Sequence, residues 1–309
     1  MQESPLSFIS SERELARMNA VFKRSIYWFM VPGLLVYVTF WILPILLTFH
    51  YSLTDTNGFG SLYNYVGLDN YRALLKDGTL VNSAGNTLQY TVASIILTNL
   101  LALGLALLLN AKLRLRGIYR TFTYLPTLFS TIVVGFIWGF IYLPDYGMLA
   151  LLGQSVGFAD LELNLLGDAS TALWATVIVD VWKGFGGVMI IYLAGLQSVP
   201  GELVESAQID GARSWHILRH IKLPLIAPAI TINLSLGLVN GLKQFDYIYT
   251  MTQGGPGKST RTLMFDMFRM AFTESQFGKA AALGVISFVF ISIATFALVH
   301  FLRTKEVSA

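Results

Sequence analysis

The chain has 309 residues and no cysteine, with 54% apolar residues, only 13% charged residues and a net charge of +3. Soluble domains carry about 25% charged residues, so this composition, with a mean hydropathy of +0.60, excludes an ordinary soluble globule; without cysteine there are no disulfides, iron–sulfur centres or thiolate zinc sites. The expected class is an all-α polytopic membrane protein whose six transmembrane helices and short loops nearly exhaust the chain.

Residues 1–25 are polar, mixed in charge and end in Lys23-Arg24. They are expected to form a cytoplasmic tail, because the apolar run behind them is too long for a cleaved signal and lacks a small-residue cleavage site. The membrane domain is expected over 26–302, with a second cytoplasmic tail at 303–309. The first span, 26–49, holds no charged residue, and about 20 residues suffice to cross roughly 30 Å of hydrocarbon. An external loop follows, in which Leu68, Tyr71 and Leu75 share one face of a short interfacial helix. The second span, 87–110, is closed by Lys112, Arg114, Arg116 and Arg120. The third, 121–143, carries Gly135 and Gly139 at a spacing that permits close helix contact. Residues 144–168 hold Asp145, Asp160, Glu162 and Asp168 with no basic residue and read as external. The remaining spans are predicted at 170–196, 224–249 and 280–302. With both termini inside, 13 of the 21 basic residues fall in cytoplasmic segments and 6 in external ones, as the positive-inside rule requires.

The loop between the fourth and fifth spans, 200–224, reads PGELVESAQIDGARSWHILRHIKLP and is predicted as two short helices hinged at a glycine. Pro200 and Glu202 suit a first helical turn. Asp210-Gly211 ends that helix, since glycine takes the left-handed cap conformation without steric cost. A second helix is expected from Ala212 to His220, with Trp215 and Leu218 on one side, and Pro224 is expected to open the fifth span. Both ends are tethered to apolar spans, so a DNA-reading role is rejected and no nucleic acid partner is expected.

Three motif matches fail on context. Gly153-Gln154-Ser155-Val156-Gly157 copies the hydrolase elbow, which needs a strand, a histidine and an acid around it. Gly257-Lys258-Ser259 imitates the end of a phosphate loop, but the loop's first glycine would fall on Thr252. His216 and His220 stand at i, i+4 without an acidic third ligand. No catalytic residue and no metal site are expected. The informative polar residues lie within spans, where a charge costs at least about 2.5 to 3.5 kcal/mol on insertion scales. Asn233, Gly237, Asn240 and Gln244, with Gly241 beside them, form one helical stripe on the fifth span; Thr176, Asp180, Lys183 or Gly184, and Gly187 form another on the fourth. The two stripes are expected to face one cavity as a substrate pathway. For the charges, pairing of Asp180 with Lys183 and of Lys243 with Asp246, each at i, i+3, is the preferred reading. Tyr142, Trp182 and Phe245 either stack on sugar rings or fill bundle cores.

Glu205-Ser206-Ala207, Asp210-Gly211-Ala212, Ile221, Leu223 and Pro224 resemble the EAA loop of binding-protein-dependent ABC importer permeases, with serine in place of the usual first alanine. The stretches 245–256 (FDYIYTMTQGGP) and 67–71 (GLDNY) are similar to the carbohydrate branch of that family, in its maltose, glycerol-phosphate and disaccharide members. The resemblance implies a type I importer permease fold and a non-catalytic subunit carrying a sugar or sugar derivative through the bacterial or archaeal cytoplasmic membrane. It implies a second homologous permease, two ATPase subunits at the 200–224 loop and an extracytoplasmic solute-binding protein. This chain would bind no cofactor, with ATP and Mg held by the ATPase. An ion-coupled secondary transporter is the rival reading, with Asp180 as its titrating acid.

Overall fold

A buried stripe of hydroxyls runs along the longest helix and organises the rest. The computed structural model describes residues 28–60, 63–111, 114–144, 146–155 and 164–304; the predicted N-terminal tail lies outside these, as do Asp145, Asp160 and Glu162. Four helices are long and apolar enough to cross a membrane: α1 (Trp28–Tyr51), α3 (Thr79–Asn110), α7 (Ala172–Gln197) and α12 (Phe277–Arg303). Between α1 and α3 lies the short helix α2 (Asp69–Lys76), with Leu74 buried and Leu68 and Leu75 exposed.

On α3 the buried positions are Thr79, Ser83, Thr87, Tyr90, Thr91, Ser94, Thr98, Ala102, Ala106 and Leu109. The leucines and isoleucines, such as Leu88, Ile96, Leu100 and Leu108, face outward. This inverts the logic of a soluble helix. Lipid tails are as apolar as leucine, so burial of leucine drives nothing, whereas small hydroxylated residues let backbones approach. Each hydroxyl can be satisfied locally: Thr87 and Thr91 each donate to the carbonyl four residues earlier, at 2.6 Å. Below the hydroxyls, Ala102 and Ala106 receive Met189, Tyr192 and Leu193 of α7, forming the main apolar core with Ile226 and Ala229.

The third and fifth predicted spans are not continuous. α4 (Arg116–Tyr124) runs into a 3-10 turn at Leu125–Leu128, and α5 (Thr131–Ile141) then departs at 94°. Pro126 sits in that turn, and Phe129 and Ser130 are extended; a proline cannot donate in a helix interior, so the chain breaks there. The other bent pair, α9 (Ser214–Leu225) and α10 (Ala227–Leu242), meets at 69°. Pro224 therefore does not open the fifth span: the helix passes through it after a wide π turn at Leu218–Lys222, and the break falls at Ile226, with φ −93° and ψ 10°. Pro228 lies in the first turn of α10, where its missing donor costs nothing. The fifth span also ends at Leu242, seven residues earlier than predicted, because Lys243 leaves helical geometry. A π turn, Ile248–Thr252, and the helix α11 (Leu263–Phe272) follow.

Glycines set the closest approaches. Gly135 on α5 meets Thr250, and a Cβ at Gly186 would overlap the Thr123 carbonyl oxygen. Just ahead of α3, Asp77 accepts from the Thr79 amide at 3.0 Å and from Lys279 Nζ at 2.7 Å, mooring the start of α12 to the start of α3. Partial burial works to raise the Asp77 pKa, but the Lys279 and Thr79 bonds outweigh it and hold the carboxyl below its ordinary value.

Two outcomes follow for the folded state. Gly186→Ala should destabilise the protein by about 1 to 3 kcal/mol through overpacking, read as a lower thermal midpoint in detergent. Gly104→Ala, whose Cβ meets nothing within 4 Å, should not. Because its folded pKa is depressed, Asp77 contributes its mooring above the unfolded carboxylate value and loses it as pH falls through the folded one. Amide protection in the first turns of α12, taken relative to intrinsic exchange, should thus be flat from neutral pH down to about 5 and fall only in stronger acid, while Asp77→Asn should lower it at neutral pH and match the wild type in strong acid.

Candidate functional site

α3, α7 and α10, with the α4–α5 bend, enclose a cavity of about 720 Å³ within the membrane domain. All eight predicted pathway residues line it: Lys183, Gly184 and Gly187 from α7, Asn233, Gly237, Asn240 and Gly241 from α10, and Gln244 just beyond. Thr176 does not; it is fully buried, with its hydroxyl donated to the Leu173 carbonyl. The sequence reading missed Ser94, Thr98 and Asn99 on α3, and Tyr124, Thr127 and Thr131 around the bend. Ser94 and Thr98 belong to the hydroxyl stripe of α3, which was available as a signal. Thr127 and Thr131 enter only because the bend brings them to α7.

Close backbone approach shapes the walls. Gly241 packs against Thr91, Gly237 against Ile95 and Gly187 against Thr127. Thr127 donates to the Lys183 carbonyl at 2.9 Å, and Lys183 Nζ reaches the Thr127 carbonyl at 3.5 Å. The bend is thereby tied to the middle of α7.

The two predicted charge pairs do not form. Among the described residues neither Asp180 with Lys183 nor Lys243 with Asp246 comes within 4.0 Å. Asp180 instead accepts the Ser94 hydroxyl at 2.5 Å, across helices rather than along one. The helix spacing permits an i, i+3 pair, but a donor on the neighbouring helix stands closer. Two further polar atoms on the cavity wall, Asn233 Oδ1 and Gln244 Nε2, are buried and have no partner in the described residues. Buried polar groups are nearly always satisfied, so both call for water or a ligand.

Of the three aromatics, only Phe245 lines the cavity. Tyr142 is buried in a core with Val179 and Tyr247, and Trp182 is edge-on to Trp138 at 5.3 Å. A larger groove of about 970 Å³ lies between α10, α11 and α12, with Lys243 and Phe245 on the wall it shares with the polar cavity. Its lining is chiefly Met267, Phe268, Phe288, Ile291 and Phe296, which offers a polyol almost nothing to bond.

The loop 200–224 forms α8 (Gly201–Ile209) and α9. Gly211 takes φ +80°, and Ala212 N–H donates to the Ala207 carbonyl at 2.9 Å and Gly211 N–H to Gln208 at 3.1 Å, completing the two-bond helix stop that a left-handed glycine allows. The second helix starts at Ser214 rather than Ala212, because Arg213 is extended. Glu205, Ser206, Asp210 and Gly211 are exposed, whereas Ala207, Ala212, Ile221, Leu223 and Pro224 are half-buried; Leu223 packs on the α3–α7 core. Ile209 is 87% exposed and Trp215 63%, an apolar surface that this chain leaves uncovered.

Ser155 ends a helix, Met148–Ser155, and spends its hydroxyl on the Leu152 carbonyl. His216 and His220 stack at 5.9 Å, and no cluster of three or more metal-ligating residues exists among the described residues.

Residues 78–306 match the model of the binding-protein-dependent transport system inner membrane component, and the chain belongs to that family. It is thus a transporter permease and a multi-pass inner membrane protein. It is 34% identical over 295 residues to a probable starch degradation products transport system permease, AmyD, of Thermoanaerobacterium thermosulfurigenes, covering 95% of this chain and 99% of that one. It is 34% identical over 284 residues to the multiple sugar-binding transport system permease MsmF of Streptococcus mutans, covering 91% and 97%. The sn-glycerol-3-phosphate permease UgpA of Agrobacterium fabrum is 32% identical over 270 residues, covering 86% and 90%. The fold matches a chain of a bacterial alginate ABC importer with a TM-score of 0.80 and 23% identity, over 93% of this chain and 99% of that one.

Ser94→Ala, which strips a donor from the Asp180 carboxylate, should lower stability by about 1.5 to 3 kcal/mol; Ser94→Thr, which keeps the hydroxyl, should restore most of the thermal midpoint.

Proposed function

We propose that this chain is one permease subunit of an ATP-driven importer for a sugar or sugar derivative. The observation that carries the reading is the joining of two surfaces by one stretch of chain. A hydroxyl- and amide-lined cavity sits within the membrane domain, and an exposed two-helix loop continues through α9 into the wall of that cavity. A polar cavity cannot face lipid, so a second, homologous permease closes it from the open side. Of two cytoplasmic ATPase subunits, which bind the ATP and Mg, one docks on α8 and the start of α9 of this chain, with Ile209 and Trp215 as apolar contacts and Glu205 as the charge. An extracytoplasmic solute-binding protein delivers the substrate, as the alginate importer does with its pentasaccharide-bound periplasmic protein. Both termini lie in the cytoplasm, by the count of basic residues.

The substrate is a polyol. Asn233, Asn240, Gly241 and Gln244 supply amides and close backbone approach on and just beyond α10, Asn233 offering its Oδ1 as an acceptor since its Nδ2 donates to the Val188 carbonyl, and Lys183 supplies a donor from α7. The cavity holds two lysines and two aspartates, a balanced set that suits a neutral sugar; relatives named for starch products and multiple sugars support the same reading. The family match to a binding-protein-dependent transport component favours this reading over the ion-coupled alternative.

The test is co-purification from the native membrane followed by a substrate-stimulated ATPase assay. Wild type should bring down an ATPase and a second permease. Gly211→Pro, which cannot adopt φ +80° because proline is held near −65°, and Glu205→Ala should lose the ATPase or its coupling. Asn240→Leu should keep the assembly and lose transport by tenfold or more. A wild-type chain that purifies alone and still transports would overturn the importer reading.

A further inference from the structure

The polar cavity has an unsatisfied atom at each end. Asn233 is 1% exposed and Gln244 9%, yet Asn233 Oδ1 and Gln244 Nε2 have no hydrogen-bond partner among the described residues, and both side chains line the cavity. Buried amides are nearly always paired, so each atom marks a place where the occupant of the cavity makes a bond.

The two atoms stand at different depths. Asn233 Nδ2 donates to the Val188 carbonyl at 3.3 Å, one turn of α7 from Tyr192, whose hydroxyl donates to Asn99 Oδ1 at 2.5 Å. This is the inner end of the cavity, seven residues from the bend at Ile226. Gln244 lies past the other end of α10, where Gly241 packs against Thr91 and the Gln244 carbonyl accepts from Thr262. Three helices give the separation. Asn233 is nine residues before Leu242, the last residue of α10, which is about 14 Å along a helix. On α3, Asn99 is eight residues from Thr91, or about 12 Å. The lining of α7 runs from Asp180 to Ile191, about 16 Å. A single pyranose ring is far shorter than this and bonds one end at a time, whereas rings joined in a chain reach both.

The ends also differ in hydrogen-bonding sense. With its amide nitrogen committed to Val188, Asn233 presents an acceptor, and Asn99 Oδ1 at the same level is taken by Tyr192. A carboxylate or a phosphate dianion brings only acceptor oxygens and leaves Asn233 unsatisfied; a sugar hydroxyl donates to it. At the outer end Gln244 Nε2 presents a donor, which a hydroxyl or a glycosidic oxygen accepts.

We propose that the substrate is a neutral oligosaccharide that spans the cavity, bonding Asn233 Oδ1 through a hydroxyl of its inner terminal ring and Gln244 Nε2 through an oxygen near its outer end. A monosaccharide or a glycerol phosphate meets one end only. The class of ligand rests on the sugar-importer reading; the span is a property of this chain's own cavity.

The experiment measures equilibrium binding to the chain in nanodiscs, with whatever subunits accompany it and without nucleotide. The probes are radiolabelled glucose, maltose, maltotriose, cellobiose, cellotriose and glycerol 3-phosphate. Wild type should bind at least one of the three-ring sugars about fivefold to tenfold more tightly than glucose, the worth of one added hydrogen bond, and glycerol 3-phosphate no better than glucose. Asn233→Leu and Gln244→Met each remove one end while keeping side-chain size. Either should abolish the preference for length while glucose still binds at the remaining end, whereas a merely structural change lowers every probe alike. If one variant does not assemble, the other carries the test; if neither does, the wild-type length series decides. Equal affinity for glucose and its oligomers, which ends filled by water would give, overturns the proposal. So does preference for glycerol 3-phosphate, a uniform loss across probes in the variants, or binding of none of the probes. A chain that binds by length but brings down no ATPase overturns the importer reading and leaves the span standing, and a complex that holds its ATPase but binds without regard to length does the reverse.

Discussion

Inside a bilayer no water is available for an unpaired amide or carboxylate, and each irregular stretch of this chain lies where protein supplies the missing partner. The bend after α4 is spanned by Thr127 and Lys183. The non-helical return after α10 is held by Thr262, whose hydroxyl donates to the Gln244 carbonyl at 2.7 Å, and by Thr87, which accepts the Leu263 amide at 3.0 Å. Farther out, Asn82 and Asn86 bond the carbonyls of Lys258 and Arg261. Asp266, 1% exposed, is satisfied by Ser83 and Arg269, with Arg261 at 3.9 Å. The stripe of small polar residues on α3 thus seals its own backbone and also staples the return after α10 to the bundle.

The same constraint explains why a cavity can exist here at all. A void lined by leucine would collapse or fill with lipid, whereas one lined by Ser94, Asp180, Asn240 and Gln244 needs polar occupants. α3, α7 and α10 supply three walls, and the small residues at their crossings bring the backbones close enough to hold those walls rigid. α9 connects that wall to the exposed loop without an intervening flexible linker, through a π turn and one bend. Irregular helical turns of this kind often mark functional hinges.

Much of this was legible in the residues. The α3 and α7 spans, the loop helices, the left-handed Gly211 and the two stripes on α7 and α10 follow from periodicity and local backbone preference, which are properties of neighbouring residues. What local patterning could not supply was where a proline would break a helix and where it would be absorbed. Pro126 coincides with a 94° bend, while Pro224 is carried inside α9 by the widened turn before it. Nor did spacing decide partners, as Asp180 shows by bonding Ser94 on another helix in place of Lys183 on its own.

The sequence by itself determined an all-helical membrane permease, its likeness to a family and the faces of two spans that bear amides and glycines, because composition and helical period are written in one dimension. Only the tertiary structure decided that Asn99 and Thr127 join the cavity, that Tyr142 and Trp182 do not, and that Asp180 bonds Ser94. Those outcomes depend on which helices touch and at what depth, and such distances are set by packing between segments far apart in the chain.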